Sequence, residues 1–138
     1  MTKGRGELRS RESAETYLET ILVLSKTKGE VRSIDIANEL DYTKPSVSVA
    51  MRNLRESGHI VVDEAGYITL TESGRKIAET MDERHQTISC FLIALGVDEK
   101  TATKDACRIE HIISNQSFEK ISEHFRILEQ TKRTGPTH

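Results

Sequence analysis

The stretch SIDIANELDYTKPSVSVAMRNLRESG, residues 33–58, decides the fold of this chain. It contains two short segments with apolar residues at helical spacing, joined by a polar turn and closed by Gly58. Ser33 is predicted to cap the first helix, and the second runs from about Lys44 to Ser57. Pro45 lies in the first turn of that second helix, where the missing N–H of proline costs little. The stretch therefore predicts a helix-turn-helix.

The flanking segments extend this motif on both sides. Upstream, residues 17–28 follow helical spacing after a charged start with glycines, so this first helix is predicted to begin at Ser10 or Ser13, after a mobile arm. Downstream, residues 60–62 and 67–70 are β-rich runs separated by a short turn with glycine, which predicts a hairpin. Three helices followed by a hairpin make a winged helix-turn-helix.

The rest of the chain has helical periodicity. One long amphipathic segment follows the hairpin, and two more helices are expected to begin at Asp98 and at Asn115 or Ser117. We predict a mainly α protein with an N-terminal winged helix-turn-helix domain, residues 1–73. An all-helical domain, residues 74–138, is predicted to follow it.

Composition and charge exclude several classes of protein. The formal net charge of −2 excludes a globally basic protein that coats nucleic acid, although a local basic face is enough to bind phosphate. No signal-peptide pattern opens the chain, and no apolar run approaches the roughly 20 residues needed to cross a bilayer. We therefore expect a cytoplasmic protein without a membrane partner and with free thiols. Cys90, beside Phe91, is expected to lie in the core.

The second helix of a helix-turn-helix pair enters the DNA major groove, so its outward face is a candidate DNA-binding surface. Hydroxyl and basic groups near its start can contact phosphates and bases, and small apolar groups can contact a thymine methyl. The predicted DNA-binding residues are Ser33, Thr43, Lys44, Pro45, Ser46, Ser48, Val49 and Arg52. Arg32 is also predicted to hold the DNA backbone. Each residue alone could equally be an ordinary solvated position, whereas the order of elements favours DNA binding.

A second set of residues has the spacing of a metal site. Cys107, Glu110 and His111 are spaced i, i+3, i+4 on a predicted helix, so their side chains share one face. A thiolate, a carboxylate and an imidazole together suit Fe(II), Mn(II), Co(II), Ni(II) or Zn(II). His85 and Glu19 are candidates to complete the set. The spacing leaves open a structural interpretation, in which the thiol is buried and the other two side chains pair with each other.

Four motifs carry a resemblance to a known family. They are YLETI at 17–21, TKPSVS at 43–48, LT at 70–71 with Gly74 after it, and ACRIEH at 106–111. With these motifs, the chain resembles the metal-dependent repressors typified by the diphtheria toxin repressor and the manganese transport regulator. The resemblance covers most of the chain and corresponds to the short, two-domain form of the family.

The resemblance implies a homodimer, joined through its C-terminal helices, that binds a palindromic operator in double-stranded DNA when iron or manganese is replete. It implies that the all-helical domain, residues 74–138, is the metal-binding and dimerisation domain, and that the metal fixes helix one against it. Fe(II) or Mn(II) is the expected cofactor, and Zn(II) or Co(II) are possible substitutes in vitro. The residues that inherit ligand roles are Glu19, His85, Cys107, Glu110 and His111. The ancillary site of iron-type members is expected to be absent, because Ser89 and Thr103 replace its carboxylate and histidine.

Three positions make the ligand set a hybrid. Thr16 stands where the family has an aspartate or methionine ligand, so that donor is weak or is replaced by water, Glu15 or the backbone. Cys107 replaces a glutamate of manganese-type members, and its softer thiolate favours iron, or zinc and cobalt in vitro. Glu19, in contrast, is a manganese-type feature.

Three other functions compete with a metal-responsive regulator. An enzyme is disfavoured because the chain has neither a His-Glu-x-x-His helix nor a glycine-framed nucleophile. A winged-helix regulator that is independent of metal and switched by oxidation of Cys107 is the main alternative. The third is a dimerisation protein whose helix-turn-helix no longer binds DNA.

Overall fold

A computed structural model describes the backbone of residues 2–134 and the side chains of residues 13–131. Within this range the chain forms six helices and one two-stranded antiparallel sheet. The elements are α1 (Thr2–Thr27), α2 (Ser33–Leu40), α3 (Lys44–Glu56), β1 (Ile60–Val62), β2 (Ile68–Leu70), α4 (Glu72–Leu95), α5 (Glu99–Ile112) and α6 (Asn115–Thr134). The predicted mainly α fold is confirmed. None of the described helices is long and apolar enough to cross a membrane.

The chain divides into two compact units, which we call the N-terminal unit (Met1–Met81) and the C-terminal unit (Asp82–His138). The division falls within α4. The first turns of this helix contribute Ala78 to the core of the N-terminal unit, and its later turns pack with α5 and α6. The sequence placed a domain boundary after residue 73, and that boundary stays a prediction.

The N-terminal unit is built on an apolar core formed by α1, α2, α3, the hairpin and the start of α4. Its buried residues are Tyr17, Leu18, Ile21, Leu22, Val31, Ile36, Ala37, Val47, Met51, Leu54, Ile60, Ile68 and Ala78. In the hairpin, Ile60 pairs with Leu70 and Val62 with Ile68. Val31, just before α2, forms a further bridge to Ile68. The hairpin is thereby joined to the start of α2.

Gly74 is required where α4 begins against the hairpin. A β-carbon at this position would lie 2.0 Å from the carbonyl oxygen of His59, which is far inside van der Waals contact. The same carbonyl accepts a hydrogen bond from the Thr71 N–H at 3.0 Å, and the Thr71 hydroxyl donates to the Gly58 carbonyl at 2.7 Å. Only glycine allows the helix to start so close to the hairpin backbone.

Two helix starts differ from the sequence prediction. Helix α1 begins at Thr2, before both predicted serine caps and where an arm was expected. Each residue added to an existing helix gains one backbone hydrogen bond, and this gain outweighs the two glycines of the segment. The N-cap of α2 is Arg32 and not Ser33, which is the first helical residue. The Asp35 carboxylate accepts the Arg32 N–H at 2.9 Å, so it replaces the expected serine cap.

The C-terminal unit packs α5 and α6 against the later turns of α4. The predicted cap of α5 is confirmed, because the Asp98 carboxylate accepts the Thr101 N–H at 3.0 Å. Phe91 of α4 and Phe125 of α6 meet edge to face, 6.3 Å between centroids. The prediction that Cys90 lies in the core is wrong, since this residue is exposed. It lines an open groove of about 280 Å³ whose other lining residues are Ile93, Ala94, Phe125, Leu128 and Glu129.

Candidate metal centre and nucleic-acid interface

Three of the predicted metal ligands lie around the carboxylate of a fourth, Glu110, in the C-terminal unit. Helix α5 carries Cys107, Glu110 and His111, and α4 carries His85. His85 Nδ1 lies 2.9 Å from Glu110 Oε2 and 3.7 Å from Cys107 Sγ. His111 Nε2 lies 3.3 Å from the other carboxylate oxygen, Glu110 Oε1. The i, i+3, i+4 spacing on α5 thus places three donors on the face that also meets His85.

Burial of the central carboxylate makes this cluster unusual for a helical surface. Glu110 is 1% exposed, and a buried carboxylate is costly unless positive charge or hydrogen bonds compensate it. The hydrogen bond to Glu110 raises the pKa of His85 above its usual 6.5, although burial of the ring opposes this shift. The negative charges of Glu110 and Asp82 raise the pKa of His85 further. A proton on His85 therefore compensates the buried carboxylate.

The donor set fits a divalent first-row transition metal. It offers one thiol sulfur, two carboxylate oxygens and two imidazole nitrogens within short distances of each other. Imidazole and thiolate ligands suit Fe(II), Co(II) and Zn(II) rather than Mg²⁺ or Ca²⁺, which prefer all-oxygen sites, and the carboxylate of Glu110 also suits Mn(II). Cys107 is exposed, whereas His85 and His111 are half-buried, so the cluster can be reached from the Cys107 side.

Arg84 supports this cluster and was missed at the sequence level. Its side chain is buried, and Nη1 donates to the carbonyls of Glu110 and Ile113, each at 3.0 Å. Nη2 donates to Asn115 Oδ1, and the guanidinium lies over the Phe118 ring, 5.5 Å from the centroid. The last carbonyls of a helix lack hydrogen-bond donors within the helix, and the Arg84 guanidinium supplies such donors. It fixes the end of α5 that carries two of the predicted ligands, Glu110 and His111.

Nothing in the sequence separates Arg84 from a solvated arginine. It lies in the charged run Asp82-Glu-Arg-His85, where basic side chains usually point to water. Its partners are backbone carbonyls of another helix, and a sequence pattern does not reveal such long-range contacts. The fifth predicted ligand, Glu19, lies half-buried on α1 in the N-terminal unit, together with Thr16 and Glu15. Ligand roles for these three residues stay predictions.

The candidate DNA-binding surface begins with a well-defined first turn of α3. Thr43 is its N-cap, and the Thr43 hydroxyl accepts the Ser46 N–H at 3.3 Å and donates to the Ser46 hydroxyl at 2.8 Å. Pro45 lies within this turn. The turn is therefore rigid before any DNA contact is made, which lowers the entropy that binding would cost.

Helix α3 buries one face and exposes the other. Val47, Met51 and Leu54 are buried in the core of the N-terminal unit. The exposed predicted DNA-binding residues are Thr43, Lys44, Pro45, Ser46, Ser48, Val49 and Arg52, whereas Ser33 is half-buried. Val49 is 46% exposed, so this face displays an apolar group among hydroxyl and basic groups. Such a mixture suits the edges of bases and the phosphates that flank a major groove.

Comparisons with known proteins agree with both parts of the chain. Residues 10–68 match the family described as the N-terminal DNA-binding domain of iron-dependent repressors. Residues 71–137 match the family described as the metal-binding and dimerisation domain of iron-dependent repressors. The HTH-type transcriptional regulator MntR of Lysinibacillus sphaericus is 32% identical over 118 residues, which cover 86% of this chain and 85% of that protein.

A second relative and a solved structure extend this result. The transcriptional regulator MntR of Escherichia coli is 33% identical over 124 residues, covering 90% of this chain and 77% of that protein. A manganese-dependent transcriptional repressor solved in complex with manganese is 28% identical, with a TM-score of 0.74. The match covers 81% of this chain but 52% of that one, so the chain spans about half the length of the solved repressor. The chain belongs to the iron-dependent repressor family of metal-dependent transcriptional regulators.

Proposed function

We propose that this chain is a cytoplasmic transcriptional repressor, and not an enzyme, that binds a palindromic operator as a homodimer when Fe(II) or Mn(II) is bound. The observation that carries the proposal is the cluster of His85, Cys107 and His111 around the buried carboxylate of Glu110. The exposed polar face of α3 in the same chain supports the proposal that metal binding controls DNA binding.

The chemistry of the site follows from its donors. When bound, a divalent ion supplies positive charge to the buried carboxylate and a fixed coordination geometry. His85, Cys107, Glu110 and His111 would hold the ion, with His85 in its neutral form, while Arg84 holds the backbone of Glu110 in place. The solved repressor is manganese-dependent, whereas the thiolate of Cys107 favours iron, so both metals belong in any assay.

For the DNA contact, we propose that α3 lies in the major groove. Ser46 and Ser48 supply hydroxyl groups, and Val49 contacts a thymine methyl. Lys44 and Arg52 are exposed and can contact phosphates. The contribution of Ser33, at the first turn of α2, is a phosphate contact through its hydroxyl group.

A homodimer through the C-terminal helices is supported by the apolar residues that this unit leaves exposed. They are Ile93, Leu95, Ile112, Ile127 and Leu128. Two of them, Ile93 and Leu128, line the same open groove, and contiguous exposed apolar surface marks interaction sites. A second copy of the chain would cover them, and an operator with two-fold symmetry would then match a dimer with two-fold symmetry.

Coupling between metal and DNA requires a residue that links the two units. Glu19 is the predicted ligand on α1, so it is our candidate for this role. A ligand that favours one arrangement of a protein raises the population of that arrangement and of any function it supports. We expect Glu19→Gln to leave metal binding to the C-terminal unit measurable while the gain in DNA affinity falls.

The test is operator binding followed by fluorescence anisotropy, with the DNA upstream of the chain's own gene. Binding is measured at fixed salt with Mn(II), with Fe(II) and with a chelator, since salt alone changes affinity for DNA. We expect a metal to tighten binding about tenfold or more, equivalent to about 1.4 kcal/mol of coupling.

Two matched double variants distinguish the loss of the metal cluster from general effects of removing a glutamate and a histidine. The double variant Glu110→Ala/His111→Ala is expected to abolish the metal effect. Its control is Glu119→Ala/His124→Ala, which removes the same residue types from exposed positions on α6. Binding that is equally tight in chelator and in metal would overturn the proposal.

A thiol-based switch is a second candidate, because Cys107 is exposed and its sulfur lies 3.7 Å from His85 Nδ1. An exposed thiol beside an imidazole is open to oxidation by peroxide. The test treats the wild type and Cys107→Ser with peroxide in the presence of a chelator. Loss of DNA binding in the wild type but not in Cys107→Ser would favour this candidate over the metal-responsive one.

A further inference from the structure

Arg32 lies between α2 and the hairpin, which forms the wing of the N-terminal unit. Its guanidinium donates through Nη2 to the carbonyl of Ala65 in the hairpin loop. The guanidinium carbon also lies 4.8 Å from the centroid of the Tyr67 ring, in cation–π geometry. Both contacts are to the wing, although Arg32 itself is the N-cap of α2.

The backbone on both sides of this contact is fixed. The Arg32 N–H donates to Asp35 at 2.9 Å, and the preceding Val31 carbonyl accepts the Ile68 N–H at 2.7 Å. In the loop, the Asp63 carboxylate accepts the Tyr67 N–H at 2.9 Å. The Arg32 side chain is exposed, and its contacts with Ala65 and Tyr67 join two pieces of backbone that are themselves held by hydrogen bonds.

The loop that Arg32 holds is acidic. Asp63 and Glu64 are both exposed, and both carry charge of the same sign as DNA phosphates. A wing with this charge must be kept at a defined distance from the DNA backbone if α3 is to enter the groove. Arg32 is placed to do so, because a guanidinium can donate to a carbonyl and stack on an aromatic ring at once.

We propose that Arg32 is a positioning residue that locks the wing to the start of α2, and that it acts on DNA binding through the wing rather than through a phosphate contact. This replaces the expectation from sequence, in which Arg32 holds the DNA backbone. The inference rests on the proposed function only for its DNA readout.

The first test compares Arg32→Met and Arg32→Lys in metal-loaded protein bound to the operator duplex over a range of salt. Both variants lose the guanidinium that stacks on Tyr67 and donates to the Ala65 carbonyl. We therefore expect both to weaken operator binding about three- to fivefold. The slope of log K against log salt should stay at its wild-type value. A slope lower by about 1, with binding restored by lysine, would show a phosphate contact and overturn the proposal.

Two further variants serve as reference points. Arg52→Met removes an exposed arginine of α3 and is expected to lower the slope by about 1, as a phosphate contact does. Tyr67→Leu removes the ring under Arg32. The losses of operator affinity caused by Tyr67→Leu and Arg32→Met should not be additive in the double variant, because both changes release the same wing. Fully additive losses would contradict the proposal.

A measurement without DNA keeps this inference separate from the proposed function. The N–H groups of Gly66 and Tyr67 bond within the loop to the Asp63 carbonyl and carboxylate. In Arg32→Met their hydrogen exchange should be at least about threefold faster than in the wild type, while exchange at the buried Val47 is unchanged. If Arg32→Met and the wild type exchange at the same rate at Gly66, Tyr67 and Val47, the proposed role of Arg32 is wrong, whether or not the wild-type protein binds an operator.

Discussion

The two units of this chain differ in the side chains that they bury. The N-terminal unit buries aliphatic side chains and exposes the polar face of α3. Among the described side chains, all three buried polar or charged residues, Arg84, Ser89 and Glu110, lie in the C-terminal unit, whereas large apolar residues are exposed in both units. The N-terminal unit therefore has a core that stabilises it without a ligand. The C-terminal unit is organised around a buried charged site, so its stability should depend on an ion.

The same substitution in the two units should have very different effects. Leu54 is 5% exposed in the N-terminal core, and Leu95 is 62% exposed in the C-terminal unit. Leu54→Ala is expected to cost about 3 to 5 kcal/mol, because it removes buried apolar volume and leaves a cavity. Leu95→Ala should change the free energy of unfolding by less than about 0.5 kcal/mol in dilute, monomeric protein.

The measurement is urea denaturation followed by circular dichroism at low protein concentration. A loss at Leu95 as large as that at Leu54 would break the comparison, because it would mean that the C-terminal unit has a conventional apolar core at this position. At high concentration, Leu95→Ala should shift sedimentation toward the monomer.

The charged interior of the C-terminal unit predicts a large effect of Arg84→Met. This change removes the donors that hold the Glu110 and Ile113 carbonyls, and we expect a loss of about 2 to 4 kcal/mol in the unfolding of this unit. Metal affinity, measured by calorimetry, should fall about tenfold or more because Glu110 is no longer held. Arg108→Met, at an exposed position of α5, is the control. Equal effects of the two changes would show that the buried contacts of Arg84 contribute nothing.

Replacing the charged pair by apolar residues should separate stability from function. In Glu110→Leu/His85→Phe, the metal-free unfolding free energy is expected to stay the same or to rise, since buried ion pairs are often matched by apolar side chains of similar size. The stabilisation by metal, about 2.7 kcal/mol at a hundredfold excess over Kd, should disappear. Thermal unfolding with and without Mn(II) measures both quantities. A double variant that unfolds as easily as Glu110→Leu alone would contradict this account.

The smallest expected effect is a dependence of metal binding on pH. Because the pKa of His85 is raised above 6.5, its pairing with Glu110 stabilises the metal-free fold fully below pH 6.5. That contribution is lost as pH rises through the raised pKa. Metal competes with the same proton, so affinity for Mn(II) should increase by up to about tenfold per pH unit over this range. Calorimetry on wild type and on the control His124→Ala should give the same slope, and a flat profile would exclude His85 as a ligand.

Local signals in the sequence predicted the fold well and the site only in part. Helix α3 was expected from Lys44 to Ser57 and runs from Lys44 to Glu56, because Pro45 and Gly58 mark its ends by local conformational preference. The spacing of the donors on α5 is equally local, and the structure gathers them as expected. Cys90 was wrongly assigned to the core, because helical periodicity identifies an apolar face but not whether another element covers it.

Long-range contacts limited the rest of the prediction. The role of Arg84 depends on carbonyls that lie 26 and 29 residues further along the chain. The position of Arg32 depends on a carbonyl 33 residues away, in the hairpin loop. Arginine is common on helical surfaces, so neither residue differs from a solvated one until the fold brings its partners close.

Metal binding and operator binding should share one coupling free energy, which is tested most directly by the affinity for metal in the presence of DNA. Linkage requires that the operator raise metal affinity by the same factor by which metal raises operator affinity. We therefore expect calorimetric titration of Mn(II) or Fe(II) to give a Kd about tenfold lower with a saturating operator duplex than without it. An unrelated duplex of equal length is the control. A metal Kd that the operator leaves unchanged would contradict the account.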